Sequence, residues 1–332
     1  MKKTIVALAV AALAAASANA AVVYNQDGTK VEVKGSVRFL LKKETNKRTD
    51  LVENGSRLEF KASHDLGNGL SALGYARLNL AQEDKTTKKV EVALDKAYAG
   101  FGFDGIGQLT FGKQATNGDD LGVANYTYDL GGVNKVVNKG DKVVHFTSAD
   151  FGGFKFGVDY VFAKDAKKYE TDGSKALNDR AVVLAAFFDR KFGDVGVKFG
   201  TGLSNEKVDK AFSRKAYTVA SEVSFGPVAL GVDYSTAKGA KAEKTQKEKA
   251  LLVGVKYQVT DMVKVYTNYE VQRTDKMGKF AEKTREFALG AGYNLHKNVE
   301  TFLEGAKRKT TKADMNKATS NNIVQVGLRV HF

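Results

Sequence analysis

Strict two-residue alternation at the end of the chain limits the possible folds more than any other feature. Val324, Val326, Leu328, Val330 and Phe332 alternate with Gln325, Gly327, Arg329 and His331. A period of two marks a strand with one apolar and one polar face, because successive side chains leave opposite sides of the pleat. The strand stops on an aromatic residue. A soluble sheet has little use for that ending, whereas a membrane barrel needs a final strand that closes the sheet on its first.

The same alternation recurs in sixteen segments. They are 30–42, 57–64, 70–81, 90–103, 107–113, 142–148, 154–163, 180–188, 195–204, 215–225, 228–236, 249–258, 262–272, 285–295, 299–308 and 322–332. In the first, Val31, Val33, Val37, Phe39 and Leu41 share one face, opposite Lys30, Glu32, Lys34, Ser36 and Arg38. In the second, Leu58, Phe60 and Ala62 oppose Arg57, Glu59 and Lys61. Seven connections are short, among them 65–69, 104–106, 226–227 and 296–298. Eight are longer and hydrophilic, among them 43–56, 114–141, 237–248, 273–284 and 309–321. The two kinds alternate, as short periplasmic turns and long external loops do in the outer membrane. Both ends of the chain then fall on the short-turn side. The expected fold is all-β, a transmembrane 16-stranded antiparallel β-barrel. Its apolar outer face suits lipid and would aggregate in water, and closure removes unpaired sheet edges. Tyr160, Phe162, Tyr234, Tyr257, Tyr269 and Tyr293 are candidates for its interfacial girdles.

Composition agrees. A single proline, Pro227, suits a chain that is mostly ladder. The absence of cysteine excludes disulfides, thiol metal sites and thiol nucleophiles. At the other end, Lys2-Lys3, an apolar stretch over 5–16 and Ala18-Asn19-Ala20 read as a secretory signal peptide. The expected division is a signal peptide at 1–20 and one barrel domain at 21–332. Losing Lys2 and Lys3 would lower the net charge from +14 to +12. Export argues against nucleic acid as the partner of this charge. The charge belongs either to solvated loops or to a pore with a positive field that attracts anions.

The longest connection, 114–141, mixes Asp119, Asp120 and Asp129 with glycines, Tyr126 and Tyr128. A loop of that composition has something to pack on, and inside a barrel it would narrow the lumen. By register, Arg38, Arg57, Lys61, Arg77 and Lys96 face inward from the first four strands. An acidic loop opposite a basic wall makes a transverse field, one way that wide pores sort solutes. The expected constriction is therefore Arg38, Arg57, Arg77 and Lys96 against Asp119 and Asp120. A solute-specific channel would show an aromatic ladder, yet only Tyr75 and Tyr98 are inward candidates. A barrel enzyme is the rival from another class. His145 and Asp159 face inward on neighbouring strands, but no nucleophile is identifiable beside them. The many inward Gly, Ala and Ser residues also argue for an unfilled lumen. No catalytic residue, metal site or cofactor is expected.

Longer motifs carry a family resemblance. Thr147-Ser148-Ala149-Asp150-Phe151-Gly152-Gly153-Phe154 with Lys155-Phe156-Gly157-Val158-Asp159-Tyr160 resembles the segment after the constriction loop of general-diffusion porins. Arg57-Leu58-Glu59-Phe60-Lys61, Tyr98-Ala99-Gly100-Phe101 and Gln108-Leu109-Thr110-Phe111-Gly112-Lys113 resemble their strands before that loop, and Phe332 fits their ending. The likeness spans the mature chain and is greatest to the porins of Haemophilus and related Pasteurellaceae. It implies homotrimers of water-filled channels for small hydrophilic solutes, set in outer-membrane lipid and lipopolysaccharide. It also implies a barrel-assembly machinery that reads Phe332. Arg57 and Lys96 match wall cations of the family constriction. Arg77 stands where enteric members often have a neutral residue, which points to weaker cation preference or to anion preference. Asn117-Gly118-Asp119-Asp120 replaces the family's acidic loop tip.

Overall fold

The computed structural model describes residues 21–83, 90–162, 180–207, 212–241, 244–314 and 318–332. The expected signal peptide at 1–20 lies outside them. Eighteen strand segments follow one another. The first nine are β1 Ala21–Gln26, β2 Thr29–Glu44, β3 Asp50–Glu53, β4 Arg57–Gly67, β5 Leu70–Glu83, β6 Val90–Phe103, β7 Gly107–Ala115, β8 Lys139–Ser148 and β9 Phe154–Val161. The others are β10 Arg180–Phe192, β11 Val195–Lys207, β12 Phe212–Phe225, β13 Val228–Lys241, β14 Lys244–Gln258, β15 Val263–Lys276, β16 Lys279–His296, β17 Val299–Lys312 and β18 Thr319–His331.

From β4 onward each strand pairs antiparallel with the next, and β18 pairs with β2. β2 carries β1 and then β18 along one edge, and β4 and then β3 along the other. β1 thus continues the line of β18, and β3 that of β4. Eighteen segments make the sixteen staves of a closed barrel, the number that alternation gives.

Two features differ from the sequence reading. β1 is absent from it because a bulge at Val23 breaks its alternation: Val22 pairs with Glu32 but Tyr24 with Val31. Asp27 and Gly28, at φ 51° and 72°, join it to β2 in the left-handed conformation that tight hairpins need. Second, several long connections are strand. β13 and β14 stay paired out to Lys241 and Lys244, and β15 and β16 to Lys276 and Lys279, around Met277-Gly278. Beyond the lipid both faces meet water, so the apolar signal stops while the backbone ladder continues.

The large apolar side chains point outward. Val228, Leu230, Val232 and Tyr234 along β13 are 37–50% exposed, a row that only a lipid solvent accommodates. The six aromatic residues named for the girdles all lie on this face. The barrel closes at Phe332. Its N–H donates to the Gly35 carbonyl at 3.0 Å, and its carbonyl accepts from the Gly35 N–H at 2.6 Å. The Phe332 ring covers Gly35, where a Cβ would stand 2.4 Å from Cε2.

Candidate pore constriction

Residues 116–138, between β7 and β8, fold into the barrel. At the root, the Thr116 N–H donates to the Asn138 carbonyl at 3.0 Å and the Thr116 hydroxyl to the Val137 carbonyl at 2.6 Å. The same hydroxyl caps a 3-10 turn over Asn117–Asp120 by accepting from the Gly118 N–H. Asn117 is buried. Its N–H donates to Asp159 Oδ2 at 2.8 Å, and its amide nitrogen donates to the Phe146 carbonyl at 3.0 Å. Asp159 also holds His145, Oδ1 to Nδ1, at 2.5 Å. The Thr147 hydroxyl lies 3.0 Å from His145 Nε2 but donates to Asn117 Oδ1 at 2.5 Å. The inward His–Asp pair therefore clamps the root of the loop. Gly157 is needed beneath it, since a Cβ there would stand 2.0 Å from the Asn117 side chain.

The loop then crosses the inner wall of β10–β18. Leu121, Val136 and Val137 pack on Ala181, Val183, Ala185, Ala216 and Ala237. Ala124 and Val133 pack on Ala250 and Leu252, and Leu130 on Ala288, Ala306 and Ile323. A buried loop without a ladder of its own must place its N–H groups elsewhere, and here the wall supplies the acceptors. Asp233 accepts from Val123 and Ala124 at 3.0 and 3.2 Å, Glu304 from Tyr128 at 2.6 Å, and Glu270 from Gly132 at 2.8 Å. Ser235 and Ser204 accept from Lys135 and Val137. Many of the small inward residues are thus the bed on which the loop lies, not a sign of empty lumen.

The far end of the loop reaches the seam. Tyr128 stacks on Phe302 at 4.0 Å and 5°. Lys264 and Arg329 stand 4.4 and 4.7 Å from the centre of its ring. Its hydroxyl donates to Glu300; burial and that carboxylate raise it well above the ordinary tyrosine range, so it stays a donor. Asp129 accepts from Asn54 at 2.7 Å and faces Lys42 at 3.9 Å.

The opposite wall stays free. Among the described residues, no hydrogen bond or ion pair joins the loop to β4, β5 or β6. On that wall Arg38 is opposite Arg329, and its Nε donates to Ser36 Oγ at 2.9 Å. Arg57, opposite Ser36, pairs with Glu59 at 2.9 Å. Arg77, opposite Lys96, donates from Nε to Asp95 Oδ2 at 2.5 Å. Tyr75 and Tyr98 stack at 4.9 Å between these groups. Asp119 lines one cleft of about 580 Å³ with Arg77, Asp95 and Lys96. Burial, and Asp119 beside it, push the Asp120 carboxyl above its ordinary value. Asp119 and Asp120 thus occupy the root of the loop beside Lys96, and Asp129 is the acid at its far end. Arg329 is a further inward cation. Its signal was the polar register of the final strand.

Known proteins resemble this chain in sequence and in fold. A family model described as Gram-negative porin matches residues 7–313. The major outer membrane protein of Pasteurella multocida is 49% identical over 353 residues, covering 100% of both chains. That of strain Pm70 is 47% identical with the same coverage. Among solved structures, a loop L8 deletion mutant of OmpT from Vibrio cholerae has a TM-score of 0.75 at 21% identity, over 92% of this chain and 100% of that one. An anion-selective porin from Comamonas acidovorans has a TM-score of 0.73 at 17% identity, over 92% and 100%. At such identities the solved structures support the fold alone. The family match and the full-length relatives go further: the chain belongs to the Gram-negative porins and forms an outer-membrane channel for passive diffusion.

Proposed function

We propose that the passage between the loop and the β2–β6 wall is the constriction, and that it favours anions. One observation carries this reading. Arg57 and Arg77 are paired with Glu59 and Asp95, whereas Arg38 and Lys96 form no ion pair among the described residues. The wall therefore keeps uncompensated positive charge, opposed at the loop root by Asp119 and Asp120. The Comamonas neighbour, described as anion-selective, is in line with it. Small hydrophilic solutes fit better than one dedicated ligand, since a single tyrosine pair is too short for an aromatic ladder. The reading is also non-catalytic, because the Thr147 hydroxyl is engaged by Asn117. In planar bilayers under a salt gradient, the wild-type channel is expected to give stable open steps and a reversal potential of anion sign. A cation-sign potential would overturn the selectivity, and no steps at all would overturn the open pore.

The working unit is read as a homotrimer in lipid and lipopolysaccharide. One solved neighbour, OmpT of Vibrio cholerae, is recorded in a trimer form. The outward faces of β5 and β6 include a patch of small residues (Ala72, Gly74, Ala76, Ala97 and Ala99), while those on β9 are Phe154, Phe156, Val158 and Tyr160. Small residues let membrane elements approach closely. Cysteine at Ala72 is expected to cross-link subunits, and cysteine at Phe156 to fail. The reverse pattern refutes the assignment.

Residues 1–20 are read as a cleaved export signal, and Phe332 as the mark read by the assembly machinery. Deleting Phe332 removes a ring and two backbone bonds from the seam. Outer-membrane levels at native expression should fall severalfold while export continues. Normal surface levels would refute this role.

A further inference from the structure

Asn54 holds the far end of the loop, and the residue after it is glycine. Its amide nitrogen donates to Asp129 Oδ1 at 2.7 Å, and its amide oxygen accepts from Arg329 Nη2 at 3.4 Å. Only this orientation satisfies both partners. A flipped amide would set oxygen against the carboxylate and nitrogen against the guanidinium. The Asn54 N–H donates to the Arg38 carbonyl at 3.0 Å, which fixes its backbone beside β2. One residue thus joins the loop, the seam and the basic wall.

An Asn-Gly pair is chemically unstable when three conditions meet. The glycine N–H must be free to attack the side-chain amide, it must not be crowded, and water must reach it. Gly55 meets all three. Its N–H makes no hydrogen bond among the described residues. It is exposed, and a Cβ there would meet nothing within 4 Å. Its φ of 77° belongs to the region that glycine enters without penalty. Two other Asn-Gly pairs give the contrast. Asn117-Gly118 is buried, the Gly118 N–H is held by Thr116 Oγ1, and the Asn117 amide nitrogen is held by Phe146 and Asp159. Asn68-Gly69 is an exposed short turn that makes no contact with the loop.

We propose that Asn54 is a site of spontaneous deamidation, and that its conversion loosens the far end of the loop. The Gly55 nitrogen bonds to the side-chain carbonyl carbon of Asn54. The amide nitrogen leaves as ammonia, taking the proton that Gly55 gives up. Water then opens the cyclic imide at either carbonyl. One opening leaves an aspartate in an ordinary main chain. The other leaves isoaspartate, with the main chain lengthened by a methylene. Both products carry a carboxylate where the amide stood, and water is the only co-reactant. The new oxygen faces Asp129 where a donor stood, so the 2.7 Å bond becomes a contact between like charges. It also stands beside Arg329 and partly neutralises it. Tyr128 still stacks on Phe302 at the same end, so the loop loosens without leaving the lumen. The effect on current rests on the constriction reading; the chemistry does not.

The test ages the folded full-length protein in detergent, warm and at mildly alkaline pH. Each Asn-Gly pair is read by peptide mass and by enzymatic methylation of isoaspartate. Asn68 should convert first and Asn54 next. Asn117 should lag behind Asn54 by about tenfold or more, because it reacts only when the root of the loop opens. An amide that survives at position 54 as long as at position 117 overturns the proposal. In planar bilayers, Asn54→Asp should shift the reversal potential toward cations, by about a twofold change in permeability ratio, and add open-state noise. Aged wild type, which has already folded, should move the same way. Aged Asn54→Gln should not, because its longer side chain closes the imide ring slowly. Asn68→Asp is the control and should leave the current unchanged. If Asn54→Asp keeps its heat-modifiable gel shift but conducts like wild type, the loosening is overturned. The same holds if aged Asn54→Gln shifts as far as aged wild type. A wild type that deamidates at Asn54 yet conducts no ions would instead overturn the channel reading and leave the modification site standing.

Discussion

Replacing Gly254 by Val is expected to cut single-channel conductance by about half and to make the open state noisy, without unfolding the barrel. A Cβ at this position would stand 2.0 Å from the Ala124 carbonyl oxygen and 2.9 Å from Asn268 Oδ1. The first contact is backbone, so no side-chain rotation relieves it. The loop has to lift by more than about 1 Å to restore van der Waals distance. Its only free direction is into the lumen, toward Arg57 and Arg77. Lifting also strains the bonds from Val123 and Ala124 to Asp233. A buried N–H left without an acceptor costs about 1–3 kcal/mol, so the displaced loop samples several positions. The β13–β14–β15 ladder keeps its backbone bonds, and the heat-modifiable gel shift should persist. A quiet channel of wild-type conductance would show that the loop does not set the pore's width.

Opposite charge changes at the constriction should move selectivity in opposite directions. With Arg57 and Arg77 both changed to Ser, the reversal potential should shift toward cations. Glu59 then keeps only Lys34, 3.3 Å away, and Asp95 is left beside Lys96. Lys96, which forms no ion pair among the described residues of the wild type, becomes compensated. With Asp119 and Asp120 both changed to Asn, the shift should be toward anions. Unit charges 4 Å apart interact by about 1 kcal/mol in water and about 4 kcal/mol at an effective dielectric of 20. Each pair should therefore change the permeability ratio by roughly two- to tenfold at 0.1 M salt. At 1 M the Debye length falls from about 10 Å to about 3 Å and the effect should shrink. Acidification should imitate the Asn variants. Asp120, pushed up by burial, is neutralised at a higher pH than an ordinary aspartate, so the wild-type channel moves toward anions as pH falls. If neither pair moves the potential at low salt, these side chains do not border the ion path.

The wall of the barrel was legible because a period of two is hard to imitate. One glance at Val324–Phe332 fixes which side chains meet lipid, and the rule extends to Arg38, Arg57, Arg77 and Lys96. The path of the loop was not legible. Nothing in the sequence marks Asp233, Glu270 and Glu304 as partners of the loop, and inward glycines such as Gly231 and Gly254 share the pattern that argues for an unfilled lumen. Only the folded loop shows that the acids receive its N–H groups and that the glycines make room for Ala124. For the same reason Asp119 and Asp120 suggested a tip. The 3-10 turn capped by Thr116 keeps them at the root, and Tyr128 takes the far position by stacking on Phe302. The ends of the strands were misread wherever the lipid stops, because pairing there continues without any apolar pattern.

The seam has a consequence for the order of events in folding. From β4 to β18, every strand finds its partner next in sequence, and such hairpins form within microseconds. The seam is different: Thr45 and Asn321 bond across it from 276 residues apart. Until β18 reaches β2, the growing sheet has two open edges. In hydrocarbon each unpaired backbone group costs several kcal/mol. A half-built sheet therefore has no stable place inside a bilayer by itself. Either it waits outside the lipid with its edges in water, or another protein lends it an edge strand. In both cases the slow step is the meeting of the two ends of the chain, and a chain stopped short of β18 gains none of the stability of the closed form.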